Sequence, residues 1–265
     1  MKLAVLLPGS NRIKLGHSEI WKGFVRTSDN KTRMAFVKLI DERNLSVELV
    51  CALIGRELGL PIPQPYLVRV PTQTISTVTQ ETMAFALEEV NVPPISSTIQ
   101  DDALMRQSIL KWPSLILCAA FDSWIGNSDR IPHNLLYTGK DRFQMIDHGD
   151  ALPSHLSSET SPNNKLIQLL KETNRTEISQ HRILKDLLEV SQKFHNIDLE
   201  KIHRIIVKSN SSISHEVVES LLNTLYSRLE SLADIYKIQL NIRQRDFIYD
   251  TPREKSKTSR KSGEV

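Results

Sequence analysis

A chain of 265 residues can form one large domain or two modest units around a cleft. A hydrophobic fraction of 40% with 25% charged residues excludes a disordered or low-complexity chain and is ordinary for a globular protein. The net charge of +3 is mild, and the cations are mostly interspersed with acids, the one dense basic stretch lying at the C-terminus, which argues against nucleic acid as a partner.

The chain opens on an apolar run, Met1 to Pro8, too short for a membrane span and without the length or cleavage pattern of a signal peptide. Cys51 and Cys118 each lie inside an apolar run, with neither metal nor CxxC spacing. They read as buried free thiols in a reducing compartment, so the expected location is the cytoplasm. Ile20 to Arg26 and Arg33 to Ile40 are rich in β-branched and aromatic residues and predict two strands, joined by a turn over Thr27 to Lys31. A helix is predicted from Leu45 to Leu58, with Asn44 as N-cap, Gly59 as its stop, and Pro61 and Pro63 just beyond. Leu45, Leu49, Val50, Leu53, Ile54 and Leu58 give it an apolar stripe. Tyr66 to Val70, Ile75 to Thr79 and Thr82 to Val90 predict three more strands, and Pro93-Pro94 marks a boundary.

Helices are predicted next over Asp101 to Trp112 and Ser114 to Trp124. Leu135 to Tyr137 and Phe143 to Ile146 read as short strands around a hairpin turn, Thr138 to Asp141. The segment from Ala151 to Asn164 is rich in Ser and Pro and lacks apolar periodicity, so it reads as a loop. Lys165 to Lys171, Ile178 to Phe194 and Leu199 to Val207 are helical. A long helix is predicted from Ser214 to Leu240, with Val218, Leu221, Leu222, Leu225, Leu229, Leu232 and Tyr236 on one side. That stripe predicts core packing, with a dimer seam as the alternative. Residues 251–265 are polar and basic and are expected to be disordered. The five Lys/Arg between Arg253 and Lys261 read as a solvated tail rather than a phosphate contact.

The segment from Phe121 to Asp150 carries the chemistry. Asp129 and Asn134 lie on one loop, and the hairpin after them returns the chain to present Asp147 at its end. Phosphoryl transfer asks for such a set: one carboxylate for the attacking hydroxyl, and an amide with a second carboxylate for the Mg²⁺ ions that bridge the phosphates. Hard oxygen donors suit that metal. An isolated Asp-x-x-x-x-Asn is more often turn chemistry, and its combination with the hairpin and Asp147 favours the site. His133, His148 and Asp147 also raise a metallohydrolase, but no His-x-x-x-His spacing supports zinc. Asp122, on an apolar helix, reads as a group that orients the loop through hydrogen bonds, and Asp150 as the start of the following loop.

The run Gly126-Asn127-Ser128-Asp129-Arg130 with Asn134-Leu135-Leu136, followed by Ile146-Asp147-His148-Gly149, resembles the catalytic and metal-binding loops of HipA-like kinases; phosphatidylinositol kinases have a similar arrangement. Upstream, Val37-Lys38, Glu48 and the Gly-Leu-Pro-Ile-Pro stretch at Gly59 to Pro63 resemble the ATP-gripping lysine, its helix partner and the segment after it. The resemblance spans roughly Gly16 to Asp150. It implies an α+β, two-lobed protein kinase-like fold. Residues 1–91 would form an antiparallel-sheet N-lobe with one main helix, 92–250 a mostly helical C-lobe, and 251–265 a basic tail. It implies an ATP- and Mg²⁺-dependent kinase of Ser or Thr, with autophosphorylation, a protein or small-molecule phosphoacceptor, and a regulatory or antitoxin partner. A lipid-headgroup kinase and an ATP-binding pseudokinase are the alternatives. By the resemblance Asp129 is the catalytic base, Asn134 and Asp147 bind Mg²⁺, and Lys38 contacts the phosphates and pairs with Glu48. Glu57 competes with Glu48 for that pairing, and the apolar neighbours Val47, Leu49 and Val50 favour Glu48. The sequence departs from the pattern at the phosphate loop, which is not Gly-x-Gly-x-x-Gly. Gly16-His17-Ser18 is either a short substitute for it or a plain turn.

Overall fold

Alternation of large and small apolar residues along six strands builds the first half of the chain. The computed structural model describes residues 1–13, 19–209 and 213–242. The strands are Lys2–Leu6 (β1), Asn11–Ile13 (β2), Glu19–Thr27 (β3), Thr32–Leu39 (β4), Pro65–Val70 (β5) and Thr82–Glu88 (β6). Their order is β1-β5-β6-β4-β3-β2, and β1 also pairs with β3. Five strands therefore close into a ring, with β2 hanging from β3. Ala4, Leu6, Trp21, Val25, Ala35, Val37, Tyr66, Val68, Val70, Ala84 and Ala86 form a buried core of their own inside it. The four alanines leave room in so narrow a barrel for Trp21 and Tyr66. The alternate residues, among them Lys38, Leu67, Phe85 and Leu87, face outward.

Helix α1, Glu42–Glu57, packs on that outer face against β5 and β6. It starts earlier than the sequence predicts: Asp41 is the N-cap and accepts the Asn44 N–H at 3.0 Å, which makes Asn44 a first-turn residue. A carboxylate at this end also meets the positive end of the helix dipole. Gly59, at φ +80°, stops the helix as expected. The burial goes beyond one stripe. Val47, Cys51 and Ala52 are as buried as Leu49 and Ile54, because the far side of α1 is covered by α7 (Leu199–Ser209) and α8 (His215–Leu229).

The rest of the chain is helical apart from one hairpin. In order it runs α2 (Ile95–Thr98), α3 (Asp102–Leu110), α4 (Leu115–Trp124), β7 (Leu135–Gly139), β8 (Arg142–Met145), α5 (Lys165–Thr173), α6 (Glu177–Ser191), α7, α8 and α9 (Leu232–Leu240), which with α1 makes nine α-helices among the described residues. The apolar helix α4 is the hub, touching α5, α6, α8 and α9. The hairpin turns through Lys140 and Asp141, both at positive φ, as a two-residue loop of the primed type requires. It docks by backbone and side chain: Tyr137 N–H donates to Pro93 O at 2.9 Å, Met145 N–H to Pro61 O at 2.8 Å and Ser108 Oγ to Asp141 Oδ1 at 2.6 Å, and Phe143 packs on Trp112. No helix among the described residues is long and apolar enough to cross a membrane.

Four expectations need correction. β1 and β2 are strands that the sequence did not announce, and the β1–β5 pair is parallel, so the sheet is not purely antiparallel. The parallel pair is possible because the whole β3-β4-α1 stretch serves as its crossover. Ile75 to Thr79 is no strand but a run of turns, in which Ile75 and Val78 turn inward and join the barrel core. The long C-terminal helix is two helices broken at Glu230-Ser231: α8 packs on α1 and α7, and α9 on α4, α5 and α6. Its apolar stripe is core as predicted, with Val218, Leu225 and Tyr236 fully buried. Residues 251–265 lie outside the described residues.

Candidate active site

Lys38 is the next-to-last residue of β4, and its outward direction carries Nζ toward α1. Nζ lies 2.6 Å from Glu48 Oε1 and 2.8 Å from Asp147 Oδ1. Three segments far apart in sequence thus meet at one ammonium. The structure pairs Glu48 rather than Glu57, which lies exposed at the other end of α1 and bonds to Lys201. Glu48 Oε2 accepts the backbone N–H of His148 at 3.1 Å and lies 3.5 Å from His148 Nδ1. Burial pushes the Glu48 carboxyl up, but the Lys38 charge and His148 outweigh it and hold the group down at about 2. Burial likewise works against the Lys38 cation, and Glu48 with Asp147 more than offsets it, so its pKa is raised.

The loop between α4 and β7 holds Asp129 and Asn134 together. Asn134 donates its side-chain N–H to Asp129 O at 2.7 Å and to Asp129 Oδ2 at 3.3 Å. Its own carbonyl accepts the Ile146 N–H at 3.1 Å, which ties the loop to the end of the hairpin. Asp147 follows, at φ +61° in the left-handed region, where a non-glycine residue is held only by its surroundings. Its side chain is 44% exposed, unlike the buried Glu48.

A second buried network sets the loop. Asp122 on α4 accepts Arg130 Nε at 3.1 Å, Arg130 Nη2 at 3.0 Å and Asn127 Nδ2 at 3.1 Å. Arg130 Nη1 reaches on to Ile146 O at 2.5 Å. Burial works against the Arg130 cation, and Asp122 more than compensates, so its pKa is raised. Asn127 Oδ1 accepts the Asp129 N–H at 3.0 Å. One guanidinium therefore joins α4, the Asp129 loop and the chain just before Asp147. The sequence identified Asp122 as an orienting group but not Arg130 as its partner. A carboxylate on a wholly apolar helix requires a cation, and that was the available signal.

The remaining candidates divide. Asp150 is exposed beside the site; burial, then the Asp129 and Asp147 charges, raise its pKa. His133 is exposed while His148 is buried against Phe121, so they do not form a ligand pair. Gly16, His17 and Ser18 lie outside the described residues. Among the described residues no cluster of three His, Cys, Asp or Glu side chains could hold a metal. A carboxylate and an amide oxygen nonetheless fit Mg²⁺, which keeps several waters and takes only one or two protein ligands beside substrate phosphates. A separate cavity of 760 Å³ beside β1, β5 and the start of α1 contains none of these residues.

No curated protein matches the chain in sequence. Among solved structures, the Helicobacter pylori proinflammatory kinase CtkA is similar in fold, with a TM-score of 0.50 at 16% identity, over 84% of this chain and 94% of that one. Residues 12–207 match the profile described as HipA-like kinase, a span that takes in Lys38, Glu48, the Asp129 loop and Asp147. The chain belongs to the HipA-like kinase family.

Proposed function

We propose that the chain is an ATP- and Mg²⁺-dependent kinase that transfers the γ-phosphoryl group to a Ser or Thr hydroxyl of a protein in the cytoplasm, itself included. The observation that carries this is the meeting of Glu48 and Asp147 at Lys38, with Asp129 linked to the same hairpin end through Asn134. The family supports phosphotransfer. Residues 1–91 act as the N-lobe, 92–250 as the C-lobe and 251–265 as a basic tail, with the connector at Pro93-Pro94 between the lobes.

Lys38 Nζ, freed in part from Asp147, binds the α- and β-phosphate oxygens, while Glu48 holds it in place. Asp147 and the Asn134 amide oxygen would hold Mg²⁺. That ion, when bound, neutralises charge on the phosphates. Asp129 orients the acceptor hydroxyl and takes its proton as the oxygen bonds to the γ-phosphorus and the bond to the β-bridging oxygen breaks. The Asp122–Arg130 network keeps the loop from moving during this step. Gly16, His17 and Ser18 are proposed to contact the phosphates.

Purified protein incubated with γ-labelled ATP and Mg²⁺, alone and with cell lysate, tests the reading. Label on this chain or on a lysate protein is the expected result. Label only in small molecules overturns the protein acceptor, and no transfer at all overturns the kinase.

A further inference from the structure

Arg228 stands among leucines. It falls on the buried face of α8 with Val218, Leu221 and Leu225, and it is fully buried. A guanidinium in such a place is ordinarily matched to a carboxylate. This one donates instead to four backbone carbonyls: Nε to Trp124 O at 2.8 Å, Nη2 to Ser123 O at 2.8 Å, and Nη1 to Thr160 O at 2.9 Å and to Ser157 O.

Those carbonyls belong to two segments. Ser123 and Trp124 end α4, where carbonyls lack helical partners and the helix dipole favours a cation. From there the chain runs through Gly126, at φ +67°, directly into the Asp129 loop. Ser157 and Thr160 lie in the loop that follows Asp147. The two segments also touch each other. Leu152 N–H donates to Ile125 O at 2.8 Å, and a Cβ on Gly126 would meet Leu156 Cδ1 at 2.6 Å. The Trp124 indole N–H also donates to Leu225 O at 2.8 Å, a bond between α4 and α8 that does not reach the loop after Asp147.

We propose that Arg228 is a positioning residue for phosphoryl transfer: its guanidinium clamps the root of the Asp129 loop to the segment after Asp147 and so fixes the two acids relative to each other. The proposal rests on the kinase reading above. Leucine would serve the apolar face of α8 as well as arginine does. Only a rigid fork of N–H groups can reach carbonyls on both segments at once. Burial draws the pKa down to about 10, which leaves the cation intact at neutral pH. Arg228 lies beyond residues 12–207, outside the family match.

The test compares R228K with W124F in the full chain. Lysine keeps the charge and loses the fork. W124F removes the indole bond at the same junction and leaves the clamp, so it controls for lost stability. Turnover is counted per nucleotide-binding site by calorimetry, and hydrogen exchange is followed in residues 126–131 and 156–161. Expected for R228K are a kcat at least ~10-fold lower, a KM for ATP within ~3-fold of wild type, and faster exchange in both segments. W124F, at equal or greater loss of Tm, should keep kcat within ~2-fold. If R228K does not fold, Arg228→Gln is measured in its place, and W124F under mild denaturant supplies the matched stability. Wild-type kcat in the Arg228 variant, equal losses in both variants at matched Tm, or faster exchange confined to one segment overturns the clamp. A wild-type chain that transfers no phosphate overturns the kinase reading instead, and the exchange data still decide whether both segments are held.

Discussion

Glu48 has no contact with water, and its two oxygens are used separately, Oε1 for Lys38 and Oε2 for the His148 backbone. Removing the charge leaves a buried ammonium with only Asp147 beside it, so Glu48→Gln should cost on the order of 3 kcal/mol in urea unfolding. The pH dependence follows from the same contacts. The carboxyl sits at about 2 when folded against an ordinary 4.5, so the unfolded chain takes up the proton first as pH falls. The stability it contributes is complete above 4.5 and is lost on the way down to about 2. Glu48→Gln should flatten the stability profile in that window, and an unchanged acid slope would show that the carboxyl is not held as described. The choice of Glu48 over Glu57 was legible because its neighbours are apolar. Arg130 and Arg228 were legible only in part: each sits where a local pattern leaves a charge unexplained, and its partners lie on segments brought near by packing.

Among the elements, α1 decides how the site is kept ready. Its start is fixed from outside by Glu42, which accepts the Ser214 N–H at 2.5 Å, and by Arg43, which donates to Leu152 O at 2.5 Å. Its end is fixed by Lys201 on Glu57 at 3.1 Å. With the barrel on one side and α7 and α8 on the other, the helix has no free face on which to swing, and the Lys38–Glu48 pair is closed. The amides of Leu45 to Gly55 should therefore exchange only through global unfolding, and saturating Mg²⁺-ATP should raise their protection by the same factor as that of the slowest amides elsewhere in the core. A rise in protection confined to α1, beyond that of the core, would instead describe a helix that moves. The elements most legible in sequence were those with a clean period and a clean stop, such as β3, β4 and α1 up to Gly59. Ile75 to Thr79 misled because its β-branched residues serve as a plug for the barrel rather than as a strand. The break at Ser231 left no trace in the leucine period, because both halves bury the same face against different partners.

At the scale of the molecule, the site is a junction of four segments: the end of β4, the middle of α1, the loop after α4 and the end of the hairpin. Asp129, Asn134 and Asp147 stand out as candidates in sequence because a single loop and one hairpin carry them. The Lys38–Asp147 contact could not, since 109 residues separate the partners and only the barrel and α1 bring them together. The two acids are assigned different work, so their loss should look different. Mg²⁺-ATP titration by calorimetry beside a phosphoryl-transfer assay, on Asp129→Asn and Asp147→Asn, separates them. Asp147→Asn should lose metal-dependent nucleotide affinity together with turnover. Asp129→Asn should keep most of that affinity while turnover falls by ~100-fold or more. Wild-type turnover in Asp129→Asn would contradict the mechanism.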